Sequence, residues 1–212
     1  MICYLIVGAP RQGKSNYAKA LITQPNTINK PCYVLDPRNE YGATYKTLIN
    51  NNVTTVPGVG LPANQPQLKR SRYVGDRNGI NVDYFNAIVN QKSGSFIVYD
   101  ESTGILKGQL SKALNDMLTG RFHSSNSFIF VFHSLETIPP DIIRNSSCNK
   151  IILFNTLDNV KSVNAKFSNH YLNEGLRLQN MKPNKSAPTE IDILEGKING
   201  KDFDRQAVKT LF

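Results

Sequence analysis

Short apolar runs alternate with longer amphipathic segments over the first 155 residues of the chain. The apolar runs are rich in β-branched and aromatic residues, which is typical of fully buried strands. They lie at residues 2–7, 32–35, 96–99, 128–132 and 151–154. The amphipathic segments predict helices at residues 14–23, 41–48, 82–90 and 107–118, and a short helix that begins at Pro139-Pro140. Strands that alternate with helices indicate an α/β fold, with a mostly parallel sheet and helices on both faces.

Two segments depart from this alternation. Residues 50–79 are rich in Asn, Gly and Pro and predict a turn-rich insert, with short strands at 53–56 and 72–74. After residue 155 the pattern predicts helices at 160–167 and 170–178, a linker at 181–188 and a small hairpin that turns at Asn199-Gly200. We therefore expect a core at residues 1–155 that contains the insert, followed by a small C-terminal appendage at residues 156–212.

The composition narrows the class of protein. Of the 212 residues, 40% are hydrophobic and 19% are charged, which is enough apolar material for a packed core and excludes a disordered chain. Lys and Arg number 25 against 16 Asp and Glu, and the net charge of +9 favours a polyanionic partner. No apolar run approaches the roughly 20 residues of a membrane span, and the first residues lack the basic flank of a signal peptide. We expect no membrane span, and a protein that stays in the compartment where it is made.

A phosphate-binding loop follows the first predicted strand. The pattern GxxxxGK[ST] is matched by Gly8, Ala9, Pro10, Arg11, Gln12, Gly13, Lys14 and Ser15. Glycines allow the backbone N–H groups to turn inward around a phosphate, and the helix that starts there adds the positive end of its dipole. Lys14 is expected to contact the β and γ phosphates and Ser15 to ligate Mg²⁺. The motif predicts that the chain binds ATP with Mg²⁺.

Two acids follow the third core strand. Asp100 and Glu101 come directly after the four apolar residues 96–99, which is the form of the second ATPase motif, Walker B. A buried strand would deliver Asp100 beside the magnesium ion, and Glu101 would polarise the attacking water. The pair favours hydrolysis over phosphoryl transfer to a small acceptor.

The fourth core strand ends in the polar pair His133-Ser134. A strand beside the loop strand can present a polar residue to the γ-phosphate or to the attacking water. We expect His133 to do so, with Ser134 as the second choice. The alternative is that His133 only caps the strand.

These motifs together resemble the FtsK–HerA superfamily of ring-forming, DNA-pumping ATPases. The resemblance rests on the loop at residues 8–15, the Asp-Pro-x-x-Glu-Tyr segment within residues 34–41, Asp100-Glu101, and Arg121 before the fourth core strand. The Asp-Pro-x-x-Glu-Tyr segment distinguishes this superfamily from generic phosphate-loop proteins, which do not carry it after the second strand. The resemblance covers about residues 1–155 and implies a RecA-like P-loop NTPase core. The family usually has Gln where this sequence has His133.

The resemblance also implies an arginine that acts on a neighbouring subunit. In ring-forming ATPases, an Arg at the position of Arg121 contacts the neighbour's γ-phosphate and stabilises the charge of the transition state. We expect the turn after Gly120 to place Arg121 at the rim of the sheet's catalytic edge. Arg11 in the phosphate loop and Arg144 are rival candidates.

The small size resembles the genome-packaging ATPases of membrane-containing icosahedral viruses. That resemblance implies an ATP-hydrolysing translocase that packages double-stranded DNA into a capsid, without sequence preference, as a pentameric or hexameric homo-oligomer. It also implies a capsid or membrane vertex protein as partner, and a location in the host cytoplasm or on the virion. The alternatives are a nucleotide or small-molecule kinase, and a nucleotide-gated assembly factor related to the filamentous-phage assembly ATPases.

A basic stretch in the insert is a candidate for DNA contacts. Residues 67–73 contain Lys69, Arg70 and Arg72, and Arg77 follows. Each cation could contact a DNA phosphate in a salt-sensitive and sequence-independent way. A solvated loop explains the same residues equally well.

Overall fold

The computed structural model describes residues 1–25, 27, 30–38, 40–41, 46–47, 70–73, 81–144, 148–184 and 186–202. The strands found within these residues are β1 Cys3–Val7, β2 Cys32–Leu35, β3 Lys46–Thr47, β4 Arg70–Tyr73, β5 Phe96–Tyr99, β6 Ser127–Phe132, β7 Lys150–Leu153, β8 Thr189–Asp192, β9 Lys197–Ile198 and β10 Lys201–Asp202. The helices are α1 Lys14–Thr23, α2 Val82–Val89, α3 Ser102–Ile105, α4 Lys112–Thr119, α5 Arg121–Ser124, α6 Pro140–Arg144, α7 Val160–Phe167 and α8 His170–Met181. A 3₁₀ turn spans Leu135–Thr137.

The described strands form one sheet in the order β10-β9-β8-β7-β1-β6-β5-β2-β4-β3. The pairs from β7 through β3 are parallel, and β8, β9 and β10 join antiparallel beyond β7. Strand β1 lies between β6 and β7, and β6 separates it from β5. The carboxyl ends of β1, β2, β5 and β6 therefore meet at one edge of the sheet, where ligands of open α/β sheets bind.

Alternation along β1 divides the core into two layers. Leu5 and Val7 face a cluster that includes Phe85 of α2, while Ile6 faces a second cluster with Ile22 of α1. The first cluster also takes in residues of α4, α7 and α8. All six residues of β6 are buried, as expected of a parallel strand that is covered on both faces. The α/β P-loop fold with helices on both faces is thus confirmed.

Most predicted elements are found at the predicted places. Each of the five core strands is shifted by at most one residue at either end. Helices α1 and α7 have the predicted bounds, and α8 continues to Met181 rather than ending at 178. The predicted hairpin is present as β9 and β10, with positive φ at Asn199 and Gly200. Strand β8 joins this hairpin to β7, so the C-terminal strands extend the sheet of the core.

Two helix predictions are wrong in part. Lys46–Thr47, inside the predicted helix 41–48, is strand β3, because these residues pair in parallel with β4 and this pairing overrides local propensity. The predicted helix 107–118 begins only at Lys112. Gly108 has a φ of 70°, and the Ser111 side chain caps α4 by accepting a hydrogen bond from the Leu114 N–H at 3.3 Å.

The insert lies largely outside the described residues. Within it the structure describes only Arg70–Tyr73, which form β4, and the predicted strand 53–56 and Arg77 fall outside. Among the residues that the structure describes, no helix combines the length and the apolar character needed to cross a bilayer.

Candidate nucleotide-binding site

The phosphate loop is fixed between the ends of three strands. It leaves β1 and enters α1, and the backbone N–H of Gly8 donates to the Phe132 carbonyl at the end of β6, at 3.2 Å. The N–H of Ala9 donates to the Asn155 carbonyl just after β7, at 2.7 Å. A Cβ atom on Gly8 would lie 2.5 Å from Cβ of Phe154, so this approach requires glycine. Gly13 caps α1 with a φ of 85°.

Lys14 folds back over the loop. Its side chain is 6% exposed, and Nζ donates to the Ala9 carbonyl oxygen at 2.8 Å. Burial lowers the pKa of the Lys14 ammonium, while the negative charges of Glu101 and Asp100 act to raise it. The cation is thereby held inside the phosphate loop beside both acids.

Asp100 lies at the end of β5 opposite Ser15. The carboxylate is 5% exposed, and its Oδ1 accepts a hydrogen bond from Ser15 Oγ at 3.4 Å. Burial raises the pKa of Asp100 to about 6, against the effect of its hydrogen bonds from Ser15 and from the Glu101 N–H. A bound cation would favour the ionised carboxylate.

The donors at this point fit Mg²⁺. Ser15 and Asp100 offer hard oxygen atoms, which is the ligand type that Mg²⁺ prefers. Within the described ranges no cluster of three or more His, Cys, Asp or Glu could hold a metal ion. A site with one or two protein oxygens, completed by substrate phosphates and water, is how Mg²⁺ is usually held beside a nucleotide.

Glu101 contacts the side chains of Arg38 and His133. Its backbone adopts the left-handed conformation, with a φ of 57°, and its Oε1 accepts from Arg38 Nη2 at 3.1 Å. The same Oε1 also contacts Nε2 of His133. The backbone N–H of His133 donates to Thr103 Oγ1 at 2.8 Å. The end of β6 therefore supports the acid at the end of β5.

The Asp-Pro-x-x-Glu-Tyr segment forms a turn that is organised by its own aspartate. The buried Asp36 carboxylate accepts hydrogen bonds from the backbone N–H groups of Glu40 at 2.8 Å and Tyr41 at 3.0 Å. This turn carries Arg38 and Glu40 to the cleft. The sequence alone predicted no role for these two side chains. The Asp-Pro-x-x-Glu-Tyr segment, which carries the family resemblance, is the feature of the sequence that could have pointed to them.

These residues enclose one cleft of about 490 Å³. It is lined by Pro10, Arg11, Gln12, Gly13, Lys14, Ser15, Asn16, Arg38, Glu40, Asp100, Glu101, Val131 and His133. The structure thus brings together Lys14, Ser15, both acids, His133 and the rival arginine Arg11. The geometry can bind a polyphosphate, hold a divalent cation and place a carboxylate near the terminal phosphate.

Ser134 belongs to a different cluster. Its hydroxyl donates to Oδ1 of Asp158, a buried acid after β7 that also accepts from the Leu135 N–H at 2.8 Å. Thr156 contacts the same carboxylate. Ser134 therefore anchors the 3₁₀ turn and does not line the cleft, which leaves His133 as the strand-end residue that does.

The structure does not bring Arg121 to the cleft. Helix α5 precedes the first residue of β6, so Arg121 lies at the amino end of a strand whose carboxyl end borders the cleft, roughly 20 Å away at about 3.3 Å per residue. The side chain is 4% exposed, and Nη1 donates to the Leu118 carbonyl at 2.8 Å. The predicted placement at the catalytic edge is wrong, because that edge is formed by the opposite ends of the strands. The Arg144 side chain lies outside the described part of the structure.

The chain is similar in fold to a genome packaging NTPase, B204 of Sulfolobus turreted icosahedral virus 2. The complex of that protein with ATP-gammaS matches with a TM-score of 0.69 and 14% identity, over 93% of this chain and 95% of the other. Its AMP complex matches with a TM-score of 0.69 and 16% identity, over 96% and 98%. The B204 DNA-packaging ATPase of Sulfolobus turreted icosahedral virus gives 0.66 and 15%, over 96% and 98%. At this identity the similarity establishes the fold of the chain.

No protein-family model matches the sequence, and no curated protein matches it at a significant level.

Proposed function

We propose that the chain is a Mg²⁺-dependent ATPase of the FtsK–HerA type that packages double-stranded viral DNA. The observation that carries the proposal is the single cleft that collects Lys14, Ser15, Asp100, Glu101 and His133. The fold match over almost the whole chain to an NTPase described as genome-packaging supports the same assignment.

The proposed reaction is hydrolysis of ATP: water attacks the γ-phosphorus, its bond to the β-phosphate oxygen breaks, and ADP and inorganic phosphate leave. The backbone N–H groups of the loop and the Lys14 ammonium bind the β and γ phosphates. Ser15 and Asp100 would hold Mg²⁺, which would neutralise part of the phosphate charge. The Glu101 carboxylate accepts the proton of the attacking water, and His133 orients that carboxylate through its contact with Oε1.

The proposed partner is duplex DNA of any sequence. The net charge of +9 supports attraction to a polyanion, and the printed description of B204 as a DNA-packaging ATPase supports this choice of polyanion. The protein would act as a homo-oligomeric ring, with a capsid or membrane vertex protein as its docking partner, in the host cytoplasm or on the virion.

Movement along DNA is tested by displacement of a labelled third strand from a duplex, together with the mass of the protein–DNA complex in solution. We expect ATP-dependent displacement by a species of several subunits, and none by Lys14→Ala. ATP hydrolysis without displacement would instead favour the nucleotide-gated assembly factor.

A further inference from the structure

Arg38 contacts Glu101, the predicted catalytic base. Its backbone position is set by the Asp36 turn, whose carboxylate fixes the N–H groups of Glu40 and Tyr41. The side chain projects from this fixed turn, is 57% exposed, and reaches Oε1 of Glu101 at 3.1 Å. Because the backbone is fixed and the side chain is exposed to solvent, the guanidinium can change partners without a change of fold.

The Arg38–Glu101 ion pair is easily replaced by a stronger one. An ion pair with an exposed partner contributes little, because water screens it. The terminal phosphate of ATP carries more charge than a carboxylate and can accept two parallel hydrogen bonds from a guanidinium. Arg38 lines the cleft beside Lys14 and Ser15, so a bound triphosphate would compete directly with Glu101 for it.

The surroundings of Arg38 favour an anion at this place. Its positive charge contributes to lowering the pKa of Lys14, after the larger effect of burial, so the two cations repel each other across the cleft. A phosphate between them would remove this repulsion.

We infer that Arg38 exchanges partners when ATP binds: it leaves Glu101 and contacts the terminal phosphate, which frees the Glu101 carboxylate to accept the proton of the attacking water. The inference rests on the proposed ATPase function and deepens it. ADP lacks the terminal phosphate, so with ADP bound Arg38 stays on Glu101. His133 keeps its contact with Oε1 throughout, and this contact holds the freed carboxylate in position.

The test compares the affinities of ADP and ATPγS, each with Mg²⁺, for wild type and Arg38→Gln. Arg38→Gln should weaken ATPγS binding about tenfold or more and leave ADP binding within about twofold. Arg177→Gln is the matched control, since it breaks another Arg–Glu pair, with Glu174 on α8, away from the cleft lining. It should change neither affinity, and equal melting temperatures would show that both variants fold.

A double-mutant cycle with Glu101 tests the exchange itself. Glu101→Gln removes the charge that retains Arg38, so it should tighten ATPγS binding more than ADP binding, and this selective gain is the signal of the exchange. Arg38→Gln combined with Glu101→Gln should lose that gain, because the two residues share one interaction.

The outcomes separate the inference from the function on which it rests. If wild type binds neither nucleotide, the proposed function fails and the inference fails with it. If wild type binds both, the inference alone is overturned by an unchanged ratio of the ATPγS and ADP affinities in Arg38→Gln. A gain from Glu101→Gln that persists without Arg38 would overturn it equally.

Discussion

The Asp100 carboxyl is buried where the proposed function needs it ionised. Its ordinary pKa is near 3.8, and burial raises the pKa in the folded protein to about 6. Between these values the folded state binds more protons than the unfolded state, so stability falls as the pH rises through this window. Above about pH 6 the folded protein carries the full cost of the buried charge, unless a cation offsets it.

Asp100→Asn should therefore stabilise the magnesium-free protein at pH 8, by on the order of 3 kcal/mol, and have little effect at pH 4. The amide oxygen can still accept the hydrogen bonds from Ser15 and the Glu101 N–H. Chemical denaturation at the two pH values measures the difference.

Asp192 provides the matched control. Burial acts to raise its pKa, but hydrogen bonds from the Glu195 N–H and from Lys150 outweigh burial and lower it. Its ionised form thus stabilises the fold at neutral pH, and Asp192→Asn should destabilise the protein at pH 8. Equal effects of the two substitutions would contradict the assignment of a burial penalty to Asp100.

Lys14→Ala should weaken ATPγS binding by about 100-fold, because the loop loses its point charge on the phosphates. Lys14 is the first residue of α1, and Lys112→Ala, at the first residue of α4 on the exposed surface, is a matched control. Titration with ATPγS and circular dichroism measure binding and folding. Equal affinity of the two variants for ATPγS would show that the phosphate loop does not bind the nucleotide.

At the scale of elements, the phosphate loop depends on the contact between β1 and β7. Gly8→Ala would place a methyl group 2.5 Å from Cβ of Phe154, and this backbone-anchored atom cannot rotate away. We expect a loss of about 1–3 kcal/mol in the free energy of unfolding, with weaker ATPγS binding as the loop shifts.

Gly104→Ala is the control for this change. Gly104 is exposed in α3 and nothing lies within 4 Å of its Cβ position, so the variant should be at least as stable as wild type. Comparable destabilisation by the two substitutions would show that the close approach of Gly8 to Phe154 is not the cause of the lost stability.

The elements that sequence reasoning identified are those with a contiguous signal. The phosphate loop and the Asp100-Glu101 pair each lie within one run of residues. Buried strands such as Phe96–Tyr99 can be predicted from their apolar, β-branched and aromatic residues alone. Strand β3 was missed because Lys46–Thr47 become a strand only through pairing with β4. Arg38 was missed because it reaches Glu101, 63 positions later in sequence, only through the Asp36 turn.

At the scale of the whole molecule, the position of Arg121 separates it from its own cleft. It lies before β6, at the amino ends of the strands, so it can contact a nucleotide only on another subunit. To do so its guanidinium must leave the Leu118 carbonyl and the face of the Phe122 ring, 4.5 Å from the ring centroid. Its action in trans stays a prediction.

Arg121→Gln should bind ATPγS normally and hydrolyse ATP about 10³-fold more slowly. Mixing it with Lys14→Ala should restore part of the activity, since each variant lacks a different half of a shared site. The melting temperature controls for the lost buried hydrogen bond. No recovery in oligomers that contain both variants, as shown by mass, would exclude the trans role.

The most direct test of the central claim is the rate of ATP hydrolysis with and without duplex DNA. We expect wild type to hydrolyse ATP with Mg²⁺, faster on two duplexes of unrelated sequence, with the stimulation falling steeply as salt rises. Glu101→Gln should reduce the rate by about 10²–10⁴ on either duplex. No hydrolysis by wild type, or a rate that duplex DNA leaves unchanged, would contradict the account of a DNA-packaging ATPase.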